Sequence, residues 1–335
     1  MQRLLGGSIL WLLLCLLLAC TPAPSETALS GKTMGTTYHI KFVNHQGLDE
    51  QQLQADIDAA LALVNKQMST YDPDSELSRF NQWQSSEPFP LSAQTLSVMR
   101  EAKRLGQISA GKLDVTVGPL VNLWGFGPKA RPEHVPEQQV IDAAKAQTGL
   151  EKLHLHADSA SKSQPDLYVD LSTIAKGYGV DVVADILDDR GLHDYLVEIG
   201  GEMRLSGQKA NGSAWRVAIE KPLSGERAVQ QIISVGNNAV ATSGDYRNYF
   251  EENGVRYSHL IDPTTGYPIQ HNLVSVTVVH PSSMTADGLA TAINVMGAEQ
   301  GVAFATEHKL AVLLITREKD GFKAYNSPEF EPFLQ

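Results

Sequence analysis

Tyr195-Leu196-Val197-Glu198-Ile199 opens the stretch whose reading decides the fold, and Val274-Ser275-Val276-Thr277-Val278-Val279 closes it. Between them, Trp215–Ile219, Gln231–Val235 and Ala239–Thr242 repeat the pattern of short β-rich runs cut by Gly, Asn and Pro. Asp262-Pro263-Thr264-Thr265-Gly266 is a strong turn signal. Upstream, helical spacing dominates. Asp49 to Met68 puts Leu53, Ile57, Leu61, Val64 and Met68 on one stripe. Ser92 can cap a helix carrying Leu96, Met99 and Leu105, ended by Gly106. Pro136 suits the first turn of another helix, which stops at Gly149. Thr36 to Val43 reads as a first strand. Leu167 to Leu171 reads as a short strand running into a helix from Ile174 to Asp189. Helices at Met284–Val295 and Glu299–His308, a strand at Leu310–Thr316 and a partner near Phe322–Tyr325 finish the chain. Helices first and strands after argue for α+β, with a mixed or antiparallel sheet flanked by helices. A two-lobed shape stays open, and residues 127–136 are the best candidate for an exposed connection.

The 335 residues suffice for one large domain or two ordinary ones. With 42% hydrophobic and 19% charged residues the chain can bury a substantial core, which excludes global disorder. Acidic residues outnumber basic ones 38 to 27, for a net charge of −11. That balance argues against a nucleic-acid binder, which needs a basic face. Two cysteines supply neither a disulfide framework nor a Cys-rich zinc site.

The N-terminus reads as an export signal. Arg3 precedes an uncharged run from Ile9 to Ala19, too short to span a hydrocarbon core of ~30 Å as a helix. Leu17-Leu18-Ala19-Cys20 resembles the lipobox of bacterial lipoproteins, which implies cleavage before Cys20 and acylation of that residue. An ordinary signal peptide with a coincidental cysteine is the alternative. Residues 1–19 are therefore expected to be a leader. Residues 20–30, rich in Pro, Ser and Thr, are expected to be a lipid-anchored tether, and 31–335 the functional domain.

Several polar constellations stand out from this background. Asp170-Leu171-Ser172-Thr173-Ile174-Ala175-Lys176-Gly177-Tyr178 ends a strand in a carboxylate and opens a helix with a lysine. Helix starts suit anionic groups, and Lys176 adds a point charge for phosphate. A helix-capping Asp170 beside a solvated Lys176 explains the same residues. Asp287 and Thr291 stand four residues apart, so on a helix they share a face and can converge on a hard cation. A helix-start Asp and a surface Thr are the plainer reading. His259, just before the Asp262 turn, can take a proton from a hydroxyl near neutrality, or be structural. Met34 and Tyr71 can offer a soft or aromatic surface to a ring system, or pack the core. His154 and His156 would share a strand face, but two histidines alone are weak zinc evidence. Gly125-Phe126-Gly127 lacks the rest of a dinucleotide fingerprint. Trp124 and Phe126 read as packing residues. Arg247 can pair with Asp245 or contact a substrate.

Taken in order with Gly31–Thr36, Ser69-Thr70-Tyr71, Asp114–Gly127, Thr242–Arg247, Ser258–Pro263 and Ala286–Thr291, these motifs resemble the ApbE family, the bacterial FAD:protein FMN transferases. The resemblance runs from about Gly31 to the C-terminus. It implies an ApbE-like fold and Mg²⁺-dependent transfer of FMN from FAD to a threonine hydroxyl, with release of AMP. It implies FAD contacts from Met34, Tyr71, Lys112, Leu113, Asp114, Asp170, Lys176 and Ile261. It also implies metal ligands at Asp287, Thr291 and the Thr173 carbonyl, with His259 as general base. Ala290 occupies a position where some relatives have Asp, and it can offer a metal only its carbonyl. The implied acceptors are subunits of membrane redox complexes of the sodium-translocating NADH:quinone reductase or Rnf type. The enzyme would face the periplasm, anchored at the inner membrane. A Mg²⁺-dependent FAD pyrophosphatase and a non-catalytic flavin-binding lipoprotein are the competing functions.

Overall fold

The computed structural model describes residues 25–334 apart from 46, 129–133, 224–227 and 247. The expected leader, Cys20, Arg247 and the middle of the 127–136 connection lie outside the described residues. A hairpin comes first. Strands β1 (Glu26–Thr33) and β2 (Thr36–Val43) pair from Glu26↔Val43 to Thr33↔Thr36. Residues 26–30, expected as tether, are thus strand. Met34 and Gly35 form the two-residue turn, both at positive φ, 48° and 71°. That is the turn geometry whose twist matches the flanking strands, although it disfavours a methionine.

The central sheet contains β1, β2, β6 (Tyr195–Ile199), β7 (Glu202–Ser206), β10 (Ala239–Gly244), β13 (Leu273–His280), β14 (Ala311–Glu318) and β15 (Gly321–Asn326), in that spatial order. Every pairing between these strands is antiparallel. Both faces are covered at its centre. Val276 and Val278 of β13, with Val312 and Leu314 of β14, enter the core on the helical side. Val274, Leu313 and Ile315 enter a second core, with Trp215, Ile233 and Phe330. Burial of both faces is why these runs do not alternate in the sequence. The second core is roofed by the hairpin β8 (Val217–Glu220) and β9 (Val229–Ile233).

On the helical side lie α1 (Glu50–Met68), α2 (Glu76–Gln82), α3 (Ala93–Ile108), α6 (Ala175–Asp189), α7 (Ser283–Met296) and α8 (Ala298–Glu307). The stripe expected in α1 is buried along its length, and Asp49 caps the helix through the amides of Gln51 and Gln52. Ser92 caps α3 as expected, through the Thr95 amide at 3.3 Å. Helix α7 is buried on almost every side, which marks it as the central helix. Two more helices, α4 (Gly118–Leu123) and α5 (Gln138–Lys145), flank the hairpin β11 (Tyr249–Glu252) and β12 (Val255–Ser258) around Trp124. A small sheet joins β3 (Phe89–Pro90), β4 (Leu153–Leu155) and β5 (Ser159–Lys162).

Two further expectations need correction. Leu167–Leu171 is not a strand. The Asn81 side chain bonds both the Val169 amide and carbonyl at 2.8 Å, and the Asp170 amide goes to the Val115 carbonyl. A side-chain amide has replaced a neighbouring strand. Helix α5 begins after Glu137, not at Pro136, and ends at Lys145, short of Gly149. The hairpin β11–β12 and strand β7 were not expected at all. Among the described residues, no helix is long and apolar enough to cross a membrane.

Candidate active site

Helices α6 and α7 cap one another, and that contact builds the floor of a cleft. Asp181 of α6 takes the Ser283 and Met284 amides at 3.0 Å and the Ser282 hydroxyl at 2.8 Å. In return Asp287 of α7 takes the Gly177 amide at 3.0 Å. Each carboxylate meets the orphan amides of the other helix's first turns. Gly177 permits the approach, because a Cβ there would lie 2.8 Å from the Asp287 Cβ. Thr173 precedes α6, so its carbonyl lies outside the helical ladder.

The cleft above has a volume of about 530 Å³, and its lining includes most of the residues singled out in the sequence. Tyr71, Lys112, Leu113, Asp114, Asp170 and Thr173 meet there with Lys176, His259, Ile261, Asp287 and Thr291. An adjoining compartment of about 550 Å³ shares Tyr71, Asp170 and Lys176 and adds Met34, Val64 and Met68. Tyr71 is 69% exposed, a ring offered at the mouth rather than packed in the core. Met34 reaches its place through the strained turn between β1 and β2.

Asp287 and Thr291 are 6% and 9% exposed, so the reading of a surface pair fails. Burial raises the Asp287 carboxyl well above its usual range. The Glu202 charge raises it further, against the opposing pull of Lys176 and the Gly177 amide. Thr173 contributes a buried side-chain oxygen with no partner among the described residues. Among the described residues, no three His, Cys, Asp or Glu side chains gather into a metal cage. A cation here would rest on one carboxylate, hydroxyls and a carbonyl, the hard oxygen set that suits Mg²⁺. Ala290 is fully buried in the core and does not line the cleft with its neighbours Asp287 and Thr291.

Lys176 is half-buried and paired rather than free in solvent. Its Nζ donates to a Glu202 oxygen at 2.7 Å. Burial opposes its charge, but Glu202 and Asp287 outweigh burial and hold its pKa above the usual lysine value. Asp170 takes the Ser172 amide at 2.9 Å in a local turn, and burial raises its carboxyl. It does not cap α6, whose N-cap is Ile174 with no side-chain bond, but it does line the cleft. Lys112 is drawn onto both Asp262 oxygens at 3.1 and 3.2 Å. Asp114 receives the Thr116 amide and hydroxyl at 2.7 and 2.6 Å. These two side chains are already engaged, so residues 112–114 wall the cleft as a braced loop.

His259 sits at the end of β12. Its Nδ1 donates to the Asn248 carbonyl at 3.1 Å, which turns Nε2 outward as the proton-accepting nitrogen. Burial lowers its pKa, the Asn248 carbonyl works against that, and Lys176 adds to it. Phe126 lies edge-on to the imidazole, with ring centroids 6.3 Å apart, and stacks on Phe250. Trp124 is wholly buried, its Nε1 donating to the Gly266 carbonyl at 2.9 Å. Both aromatics pack, as expected. His154 and His156 bond Ser163 and Ser161, far from any metal role.

Glu202 was absent from the sequence reading. Its signal was Gly200-Gly201 before it, a pair of glycines that announces a tight turn but no chemistry.

Comparison with known proteins agrees with this geometry. An FAD:protein FMN transferase of Vibrio cholerae is 58% identical over 322 residues, which cover 96% of this chain and 96% of its own. One of Escherichia coli K12 is 43% identical over 320 residues, covering 94% and 91%. The solved flavin transferase ApbE from Vibrio cholerae matches with a TM-score of 0.88 at 57% identity, over 93% of this chain and 100% of that one. The Pseudomonas stutzeri flavinyl transferase ApbE matches at 0.86 and 41% identity, over 93% and 97%. The family model described as the ApbE family matches residues 34–314, from the strained turn at Met34 to the sheet strand β14. By fold, cleft and sequence together, the chain belongs to the ApbE family.

Proposed function

We propose that this enzyme moves the FMN half of FAD onto a threonine hydroxyl of an acceptor protein and releases AMP. It is an FAD:protein FMN transferase, in keeping with the relatives that match it nearly end to end. The observation that carries the chemistry is His259, whose Nε2 is open to the same cavity as Lys176 and Asp287.

FAD has two ring systems joined through a diphosphate, and the cleft has two compartments joined at Lys176 and Asp170. Met34 and Tyr71 suit one ring system. The wall of residues 112–114 and Ile261 suits the other. The diphosphate then lies against Lys176 at the start of α6, where a cationic side chain favours anions. Asp287, Thr291 and the Thr173 oxygens would hold Mg²⁺. Bound there, Mg²⁺ supplies charge neutralisation for the diphosphate and the leaving phosphate.

The chain's own part is positioning and proton transfer. His259 Nε2 accepts the threonine hydroxyl proton. That oxygen forms the new bond to the flavin-side phosphorus. The phosphorus–oxygen bond to the AMP half breaks, and AMP leaves with the electron pair. The lowered pKa of His259 keeps it neutral, as a base must be.

The address completes the reading. The leader is removed, Cys20 is acylated, and the enzyme faces the periplasm from the inner membrane. Its acceptors are subunits of membrane redox complexes of the sodium-translocating NADH:quinone reductase or Rnf type. The lipobox-like Leu17–Cys20 and the family membership support this. An incubation with FAD, Mg²⁺ and an acceptor domain, followed by denaturing electrophoresis, tests the reaction. A fluorescent acceptor band is expected. Free FMN beside an unmodified acceptor would make the protein a pyrophosphatase, and intact bound FAD would make it a carrier.

A further inference from the structure

The turn between β6 and β7 delivers a side chain that this reaction does not itself require. Gly200 and Gly201 both hold positive φ, 59° and 109°, and Ile199 pairs with Glu202 across them. Glu202 therefore enters the cleft as the first residue of β7, and it is only 3% exposed. One carboxylate oxygen takes the 2.7 Å hydrogen bond from Lys176. The other is buried with no partner among the described residues. A pair built only for stability would satisfy both oxygens, because a bare buried carboxylate oxygen is destabilising. Asp287 lines the same cavity, so two acids face one ammonium where the diphosphate has to lie. An anion entering this pocket has to share Lys176 with Glu202 until a cation adds positive charge there.

We propose that Glu202 couples the two ligands of the cleft: it pins Lys176 and leaves a bare oxygen in the cavity, so that FAD is held tightly only once a divalent cation is in place. This coupling rests on the FAD and Mg²⁺ reading above. Glu202 acts through Lys176 and through its charge, as a positioning residue.

Equilibrium FAD binding to the full chain, with no acceptor present, reads the coupling as the ratio of Kd in EDTA to Kd at saturating Mg²⁺. Glu202→Gln keeps the size of the side chain and an acceptor for Lys176 but removes the charge. The variant should bind FAD in EDTA about tenfold tighter than wild type, and its Kd ratio should shrink by a similar factor. Glu202→Ala gives the same reading should the glutamine variant not fold. A ratio unchanged from wild type in the folded variant overturns the coupling and leaves the FAD reading intact. Wild-type FAD binding that ignores Mg²⁺ overturns both.

Discussion

His259 keeps one ring nitrogen on the Asn248 carbonyl and the other toward the cleft, and burial lowers its pKa from the ordinary 6.5. The active form is the neutral one, so transfer should rise with pH through a midpoint below 6.5 and then stay flat. A pH–rate profile of single turnovers checks this. A midpoint at or above the ordinary value would contradict the desolvated base. His259→Ala should lower the rate by at least ~10²-fold while leaving the FAD Kd within about twofold. A second residue carries a stability test. Lys162 is fully buried, its nitrogen 3.2 Å from the Asn81 carbonyl and 5.3 Å from the centre of the Phe80 ring. Desolvation lowers its pKa from 10.5 to about 8. Between those values the unfolded chain holds the proton and the folded chain has released it, so stability should rise with pH across that window. Denaturant melts at pH 8 and 10, read as a difference from Lys162→Met, should show the wild type gaining. A pH-independent difference would argue against a desolvated lysine.

At the scale of elements, the junction of α6 and α7 decides whether the site forms. Gly177→Ala would drive a methyl into the Asp287 Cβ and the Ser283 carbonyl, both fixed by helix backbone. We expect a loss of about 1–3 kcal/mol of stability and a higher Mg²⁺ requirement, measured by thermal melts and a Mg²⁺ titration of transfer. Normal Mg²⁺ dependence in a destabilised variant would separate the junction from the metal site. How far such elements were legible depends on where their hydrogen bonds go. The α1 stripe and the Ser92 cap could be read because both are local rules. The 167–171 segment misled because its strand-like apolar run is satisfied by Asn81, from a helix 88 residues away in sequence. Asp287 and Thr291 could be paired by their spacing, yet their burial depends on α7 being enclosed on every side. Glu202 could not be found, since only the fold brings β7 against the start of α6.

Across the whole molecule, the acidic balance recognised first excludes nucleic acid but also opposes a doubly phosphorylated substrate. The net charge of −11 is answered locally by Lys176 and the oxygen set that would hold Mg²⁺. The scarcity of cysteine fits a chain whose proposed anchoring thiol is Cys20. Cys20→Ser should move the protein from the membrane to the soluble fraction of a cell extract, with kcat on a soluble acceptor domain unchanged. Retention in the membrane fraction would show that another part of the chain holds it there.

Whether one cleft brings FAD, a cation and a base together for transfer can be read from the mass of an acceptor domain after a single turnover, with AMP counted in the same reaction. One flavin phosphate on one threonine and one AMP per flavin transferred are expected, with both products lost in His259→Ala although FAD still binds. FMN and AMP released in equal amounts from wild type, with the acceptor mass unchanged, would contradict transfer.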